Sequence, residues 1–325
     1  MVRVGIPRAL VYYEYYPMWK AFFEHLGAEV VVSGPTTREV VTAGSARVVA
    51  ETCLPAKVFC GHVISLAEQC DYMFIPSIRS LQEDSYNCSK FLGLPDMVNA
   101  AVPECPPILD INIEIPRGKR DLYLNILSLG RHFSWNPLKV KRAAEVALEA
   151  YRDYRRLMWE KKIMPPQAIE KLEGKLNGEP RAEGEVAIAL LGHPYSLYDE
   201  YVNHRLIHRL ERLGARVFTP EMVPEEELER QALRLTGRHY WTYEHEVSGA
   251  GGYYLEQGVD GIIGVMPFGC GPDSLMMDLI KHHARRNGNI PFMLLSIDEH
   301  TAEAGLITRL EAFMDMIQRR KRRRA

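Results

Sequence analysis

Residues 2–33, VRVGIPRALVYYEYYPMWKAFFEHLGAEVVVS, carry the pattern that decides the fold. The apolar run VRVGIP predicts a short strand. Trp19, Phe23 and Leu26 follow at helical spacing, and Gly27 predicts the end of that helix. AEVVVS then predicts a second strand. A helix between two strands is typical of a parallel strand pair.

The second half of the chain begins in the same way. Here VAIALLG (186–192) predicts a strand, YDEYVNHRLIHRLERLG (198–214) a helix and ARVFTP (215–220) the next strand. Each half then contains two further buried strands, namely CDYMFIPS (70–77) and PPILDINI (106–113) in the first and VDGIIGVMPFG (259–269) and IPFMLLSID (290–298) in the second. The repeated order predicts two similar α/β domains.

We therefore predict an α/β protein with two doubly wound parallel-sheet domains, at residues 1–116 and 182–325. Residues 117–181 are charged and helix-rich, and they predict a helical connector. Ligands of open parallel sheets bind beyond the carboxyl ends of the strands, and two-domain proteins commonly place the site in the cleft between the domains. Functional residues are accordingly expected in loops that follow strands.

The composition is that of an ordinary globular protein, with 325 residues, 46% hydrophobic residues and a net charge of −2. This charge gives no general attraction to nucleic acid or to anionic lipid, and the basic run at 319–324 is typical of a solvated helix end. No secretory signal and no run of ~18 apolar residues is present, so we expect a cytoplasmic protein with no nucleic-acid or membrane partner. In that reducing compartment we do not expect the six cysteines to form structural disulfides, which leaves packing, catalysis or metal binding as their roles.

Three cysteines lie where a functional residue is expected. They are Cys53 in TCLPAK at a predicted helix start, Cys88 in the polar loop after the third strand, and Cys270 in PFGCGPDS after the matching strand of the second half. Cys60, Cys70 and Cys105 fit core or connecting positions. The counterpart of Cys53 in the second half is HYWTYEHEVSG (239–249), which has no cysteine but contains His239, Glu244, His245 and Glu246.

Three thiolates that converge with one open position suit a 4Fe-4S cluster. The predicted helix starts after Cys53 and Cys270 would supply backbone N–H groups to such an anionic group. Zinc with three thiolates and a histidine fits the same residues. From the residues alone, a metal role and three unrelated thiols are about equally supported.

Several motifs in one order resemble a known family. The runs ETCLPAKVFCGHV, VGIPRAL, HYWTYEHEVSGAG, PFGCGPDS and SIDEHTAEAGLITRLEAF look like the uncharacterised domain of proteins related to CoA-enzyme activases. That domain is akin to the 2-hydroxyacyl-CoA dehydratase subunits and to the double-cubane cluster proteins. The resemblance covers nearly the whole chain.

The resemblance implies two Rossmann-like domains and an oxygen-sensitive 4Fe-4S-type cluster, single or a sulfide-bridged double cubane. Matched residue by residue, its cysteine ligands are Cys53, Cys88 and Cys270. It also implies an ATP-hydrolysing activator that delivers a low-potential electron. Because this sequence has no GxxxxGK phosphate loop, the activator is expected to be a separate protein. A homodimer or a second dehydratase-like subunit is expected as well.

Further polar residues are candidates for catalysis, each with a structural alternative. Lys57 and His62 follow Cys53 and could supply a positive charge and a proton, or have surface or capping roles. Glu299 and His300, next to Asp298, follow the last predicted strand and either point at the site or cap the next helix. Glu14 in YYEYYP is either a site residue or part of a packing cluster.

The first functional hypothesis is therefore a cluster protein that transfers low-potential electrons or reduces a small substrate, as an ATP-dependent reductase or dehydratase component. A non-catalytic protein that stores, delivers or scaffolds a cluster is a second hypothesis. A zinc-binding α/β protein is the third, and metal analysis separates it from the other two.

Overall fold

The computed structural model describes residues 1–176, 184–237 and 241–323. The strands are β1 (Arg3–Ile6), β2 (Glu29–Val32), β3 (Tyr72–Phe74), β4 (Ser77–Ser80), β5 (Ile108–Leu109), β6 (Asn112–Glu114), β7 (Val186–Leu191), β8 (Ala215–Phe218), β9 (Gly261–Pro267) and β10 (Phe292–Ile297).

The helices of the first half are α1 (Tyr12–Leu26), α2 (Arg38–Ser45), α3 (Leu54–Leu66), α4 (Ser89–Leu92), α5 (Leu94–Ala101), α6 (Lys119–Gly130) and α7 (Pro137–Lys161). Those of the second are α8 (Pro165–Leu172), α9 (Pro194–Leu197), α10 (Leu206–Arg212), α11 (Glu225–Thr236), α12 (Glu244–Gln257), α13 (Gly271–Arg286) and α14 (Glu303–Arg322). Short 3₁₀ turns occur at Ile115–Arg117 and Pro220–Met222.

The chain divides into two compact units. The first unit comprises Met1–Arg156 with Tyr240–Thr242, and the second comprises Leu157–His239 with Tyr243–Ala325. The boundary falls within α7, the long charged helix expected for the connector region. In the parts of the chain that the structure describes, no helix combines the length and apolar character needed to cross a membrane.

Each unit is built on a four-stranded parallel sheet. The strand order is β2-β1-β3-β5 in the first unit and β10-β9-β7-β8 in the second, so both sheets have the same topology. The predicted α/β class with doubly wound, Rossmann-like sheets is therefore confirmed. The third and fourth predicted strands of the first half each continue beyond a break, because β4 and β6 form a separate two-stranded parallel sheet.

Aromatic packing of α1 against β3 forms the core of the first unit. The rings of Trp19 and Phe23 lie 4.6 and 5.0 Å from the ring of Phe74. Beside them α2 and α3 approach very closely, because a Cβ at Gly44 would lie 1.9 Å from the Lys57 carbonyl oxygen. This contact sets the position of α3, the helix that follows Cys53.

The core of the second unit lies between its sheet and helices α12 and α13. Leu191 and Ile262 from the strands pack with Val247, Ala250 and Ile280 from the helices. This packing holds the first half of α12 and the middle of α13 next to the sheet. The predicted helix of residues 198–214 begins only at Leu206, because His204 and Arg205 have positive φ angles of 53° and 58°.

Candidate functional site

Cys53 lies at the start of α3, as its sequence context predicts. It is the N-cap residue, its side chain makes no capping hydrogen bond, and a proline follows in the first turn. Its main-chain oxygen accepts hydrogen bonds from the N–H groups of Ala56 and Lys57, at 3.1 and 3.2 Å. The thiol is therefore not required to cap the helix.

Cys88 occupies the same kind of position at the start of α4, again without a side-chain capping bond. The two residues before it are held by backbone hydrogen bonds: the Asn87 N–H donates to the Arg79 carbonyl at 2.8 Å, and the Thr242 N–H donates to the Tyr86 carbonyl at 3.3 Å. These bonds stabilise the Cys88 loop within the first unit.

Cys53 and Cys88 are electrostatically coupled within the first unit. Burial raises the pKa of the Cys53 thiol, the nearby Ala56 backbone lowers it, a negative charge on Cys88 raises it and Lys90 lowers it. The two thiols are thus close enough to affect each other and are a pair of soft ligands, but burial, the largest influence, disfavours a negative charge on Cys53.

Cys270 is the N-cap residue of α13 in the second unit, and its side chain also makes no capping bond. Gly269 before it has a φ of +78°, which favours glycine and turns the chain out of β9. The Ser274 hydroxyl donates to the Cys270 carbonyl at 2.6 Å. All three predicted ligand cysteines therefore share one local geometry.

The other cysteines have the surroundings of packing thiols. Cys60 and Cys70 are buried, and burial raises the pKa of Cys60 to about 11. Burial, followed by Cys70 and Glu104, raises the pKa of Cys105 to about 12. Within the described ranges, no group of three or more His, Cys, Asp or Glu residues is arranged to hold a metal ion. The first unit thus brings together two of the three predicted ligands, and Cys270 belongs to the second unit.

Lys57 and His62 are both buried in the first unit. The Lys57 amine donates to the Ala50 carbonyl at 2.7 Å, and His62 Nε2 lies 2.8 Å from the Thr36 hydroxyl. Burial, reinforced by Arg8, lowers the pKa of His62 to about 4. His62 is therefore neutral at physiological pH, and Lys57 stabilises the chain that leads into Cys53.

The remaining candidates occupy different settings. Glu14 is buried in the first turn of α1, with its Oε1 3.5 Å from a guanidinium nitrogen of Arg155. The Asp298 carboxylate accepts hydrogen bonds from the His300 N–H and the Thr301 hydroxyl, which closes a local turn before α14. In that turn the His300 side chain is 85% exposed and the Glu299 side chain 23%.

The sequence analysis missed a buried polar cluster in the second unit. His193, directly after β7, places its Nε2 2.8 Å from Oδ1 of Asp273 in the first turn of α13. Glu244 at the start of α12 interacts with both residues, and Glu246 acts on His193. The available signal was the position of His193 after a buried strand, but its partner is 80 residues away. His239, singled out with Glu244, lies outside the described residues.

Comparison with known families identifies a match to the first two thirds of the chain. Residues 3–223 match the sequence profile of the CoA enzyme activase uncharacterised domain. The matched segment includes all of the first unit up to Arg156, with Cys53 and Cys88, and ends before Cys270. No curated protein matches the sequence.

Proposed function

The chain belongs to the family of the CoA enzyme activase uncharacterised domain, and from this membership we propose that it binds a 4Fe-4S-type cluster. The ligands are Cys53, Cys88 and Cys270. When bound, such a cluster supplies one-electron chemistry, and three protein ligands leave one iron for a further ligand. The function is low-potential electron transfer or reduction of a small substrate.

One observation carries the proposal, the pairing of Cys53 and Cys88 at two helix N-termini. Thiolates are the ligands of iron–sulfur clusters, and N–H groups at helix starts favour the negative charge of a thiolate-bound cluster. Neither sulfur is used to cap its helix. Cys270 has the same N-cap geometry, which supports its assignment as the third ligand.

The electron donor in this proposal is a separate ATP-hydrolysing activator. The sequence has no phosphate-binding loop, so the proposal does not assign ATP hydrolysis to this chain. A homodimer or a complex with a dehydratase-like subunit is part of the same hypothesis. Reduction needs an iron site that is open to exchange, whereas cluster storage or delivery needs only the cluster.

The test is metal analysis of protein purified without oxygen. We expect about four irons and four sulfides per chain for one cubane, about twice that for a double cubane, and an EPR signal after reduction with dithionite. Cys53→Ala, Cys88→Ala and Cys270→Ala should each lose iron. Cys105→Ala is the matched control, because Cys105 is also partly exposed and belongs to the first unit.

The possible results separate the three hypotheses. Zinc in place of iron would support the zinc-binding protein. Iron that is retained in all three variants, or protein that takes up neither metal, would overturn the proposal. Iron lost only from the Cys53 and Cys88 variants would remove Cys270 from the ligand set.

A further inference from the structure

The His193–Asp273 pair lies at a special place in the second sheet. Strands β7 and β9 are adjacent, with Ile188 opposite Gly261, and their other neighbours lie on opposite sides. This is the point at which the strand order reverses, and ligands of doubly wound sheets bind at the carboxyl ends of the strands there. His193 follows β7 and Asp273 follows β9, so the 2.8 Å contact spans this position.

Among the residues that the structure describes, two carboxyl oxygens of this cluster have no hydrogen-bond partner. Asp273 Oδ2 and Glu244 Oε1 are both buried and unsatisfied, in residues that are only 2% and 5% exposed. Buried polar groups are almost always hydrogen-bonded, so these two atoms indicate a site for a further group. A ligand at the carboxyl ends of β7 and β9 with a hydrogen-bond donor for the Asp273 carboxylate and an acceptor for the Glu244 acid would supply both partners.

Burial favours a proton on Glu244. Burial raises the pKa of Glu244 to about 8. The charge of His193 opposes this increase, and the charge of Asp273 adds to it. Burial by itself lowers the pKa of His193, but the charge and hydrogen bond of Asp273, with Glu244 and Glu246, outweigh it and raise this pKa to about 9. The rings of Tyr195 and Tyr243 pack against His193 at 5.2 and 6.5 Å.

We propose that Glu244, His193 and Asp273 form a proton-transfer site for a small molecule that presents an acceptor oxygen, such as a carbonyl, to Glu244 and a hydrogen-bond donor to Asp273. The O–H bond of the Glu244 carboxylic acid breaks, and its proton goes to a lone pair on the ligand oxygen. The bonding electron pair stays on the Glu244 carboxylate, which the His193 imidazolium stabilises. A proton from water restores the acid. His193 is the positioning residue, held by Asp273, and the site needs no cluster.

Infrared spectroscopy of the full chain tests the site without a ligand. A protonated buried carboxylic acid has a C=O stretch that a carboxylate lacks, so wild type should show this band at pH 7 and lose part of it as the pH rises through about 8. Glu244→Gln should remove that part at all pH values. Glu246→Gln is the matched control in the same helical turn and should keep it. Burial raises the pKa of Glu221, a second buried acid, and any band from it should stay in both variants.

His193→Gln separates a charge effect from simple structural damage. It can keep a hydrogen bond to Asp273 but lacks the positive charge, so the midpoint of the Glu244 band should move to higher pH. A midpoint that stays in place or falls would overturn the proposal, as would a wild-type band that Glu244→Gln leaves unchanged. In D2O the band should shift on mixing. A band that is still unshifted after overnight incubation would mean that the Glu244 proton does not exchange with solvent. That result would also overturn the proposal.

Discussion

The Tyr154 hydroxyl donates a 2.6 Å hydrogen bond to the main-chain carbonyl of Tyr13. In a regular helix this carbonyl would accept from the N–H of residue 17, but residue 17 is a proline inside α1 and has no N–H. Tyr154 is fully buried, so α7 supplies the donor that α1 lacks. The contact allows the aromatic helix α1 to continue through Pro17.

Tyr154→Phe should therefore destabilise the first unit by about 1 kcal/mol, because it removes a buried hydrogen bond. Denaturant unfolding of the full chain measures the loss. Pro17→Ala restores the helical N–H, and in that background Tyr154→Phe should cost clearly less. Equal costs in the two backgrounds would show that the hydroxyl does not replace the missing donor.

His62 should make the stability of the protein depend on pH. Its pKa is about 4 in the folded chain because burial, with Arg8, disfavours the charged form, against an ordinary value of 6.5. Above pH 6.5 His62 is neutral in both the folded and the unfolded chain, so no stability is lost. As the pH falls from 6.5 towards 4, the unfolded chain takes up the proton first, so up to about 3 kcal/mol of stability is lost.

Unfolding free energies at pH 7, 5.5 and 4.5 measure this loss. His62→Gln can keep the contact with Thr36 without titrating, so its stability should fall less over this range. His25→Gln removes an exposed histidine of the same unit and should leave the wild-type dependence unchanged. Parallel curves for wild type and His62→Gln would rule out His62 as the source.

Much of the architecture could be predicted from local pattern, and long-range contacts could not. A helix between β1 and β2, repeated between β7 and β8, predicted two parallel sheets. This prediction was possible because the apolar periods of strands and helices are visible in consecutive residues. The start of α10 was predicted too early. The apolar spacing continues through His204 and Arg205, and the left-handed backbone of these two residues cannot be seen in that pattern.

The candidate site shows the same division. Helix starts at Cys53 and Cys270 follow from the neighbouring proline and glycine residues, so the N-cap geometry could be predicted. The partner of His193 could not, because no local rule relates it to Asp273. Lys57 and His62 were candidates for a cluster environment, and only the fold shows that Ala50 and Thr36 hold them.

The close contact of α2 and α3 should make Gly44 and Gly61 intolerant of any side chain. A Cβ at Gly44 would lie 1.9 Å from the Lys57 oxygen, and a Cβ at Gly61 would lie 2.0 Å from the Val40 oxygen. The opposing atoms are backbone, so the helices must separate. We expect Gly44→Ala and Gly61→Ala each to cost more than about 3 kcal/mol.

Thermal unfolding measures both variants. Gly305→Ala is the control, because Gly305 also lies in a helix but a Cβ there meets nothing within 4 Å. That variant should be neutral or gain up to about 1 kcal/mol. A melting temperature of Gly44→Ala equal to that of wild type would contradict the close helix contact.

The pairing of Cys53 with Cys88 predicts a shift in thiol reactivity. After burial and the Ala56 backbone, the charge of Cys88 is the next influence on the pKa of Cys53, and it raises that pKa. Cys88→Ala removes this charge, so alkylation of Cys53, which needs the thiolate, should begin at lower pH. Lys90→Met removes a positive charge that lowers the same pKa, so it should move the profile to higher pH.

Alkylation of metal-free protein over a pH series, with Cys53 followed by peptide mass spectrometry, measures both shifts. Cys105→Ala is the control and should leave the profile of Cys53 unchanged, since Cys105 does not contribute to its pKa. Opposite shifts in the Cys88 and Lys90 variants cannot arise from general loosening of the fold, which would expose Cys53 and move both profiles in the same direction. A Cys53 profile that is insensitive to Cys88 would mean that the two thiols are too far apart to bind one metal centre.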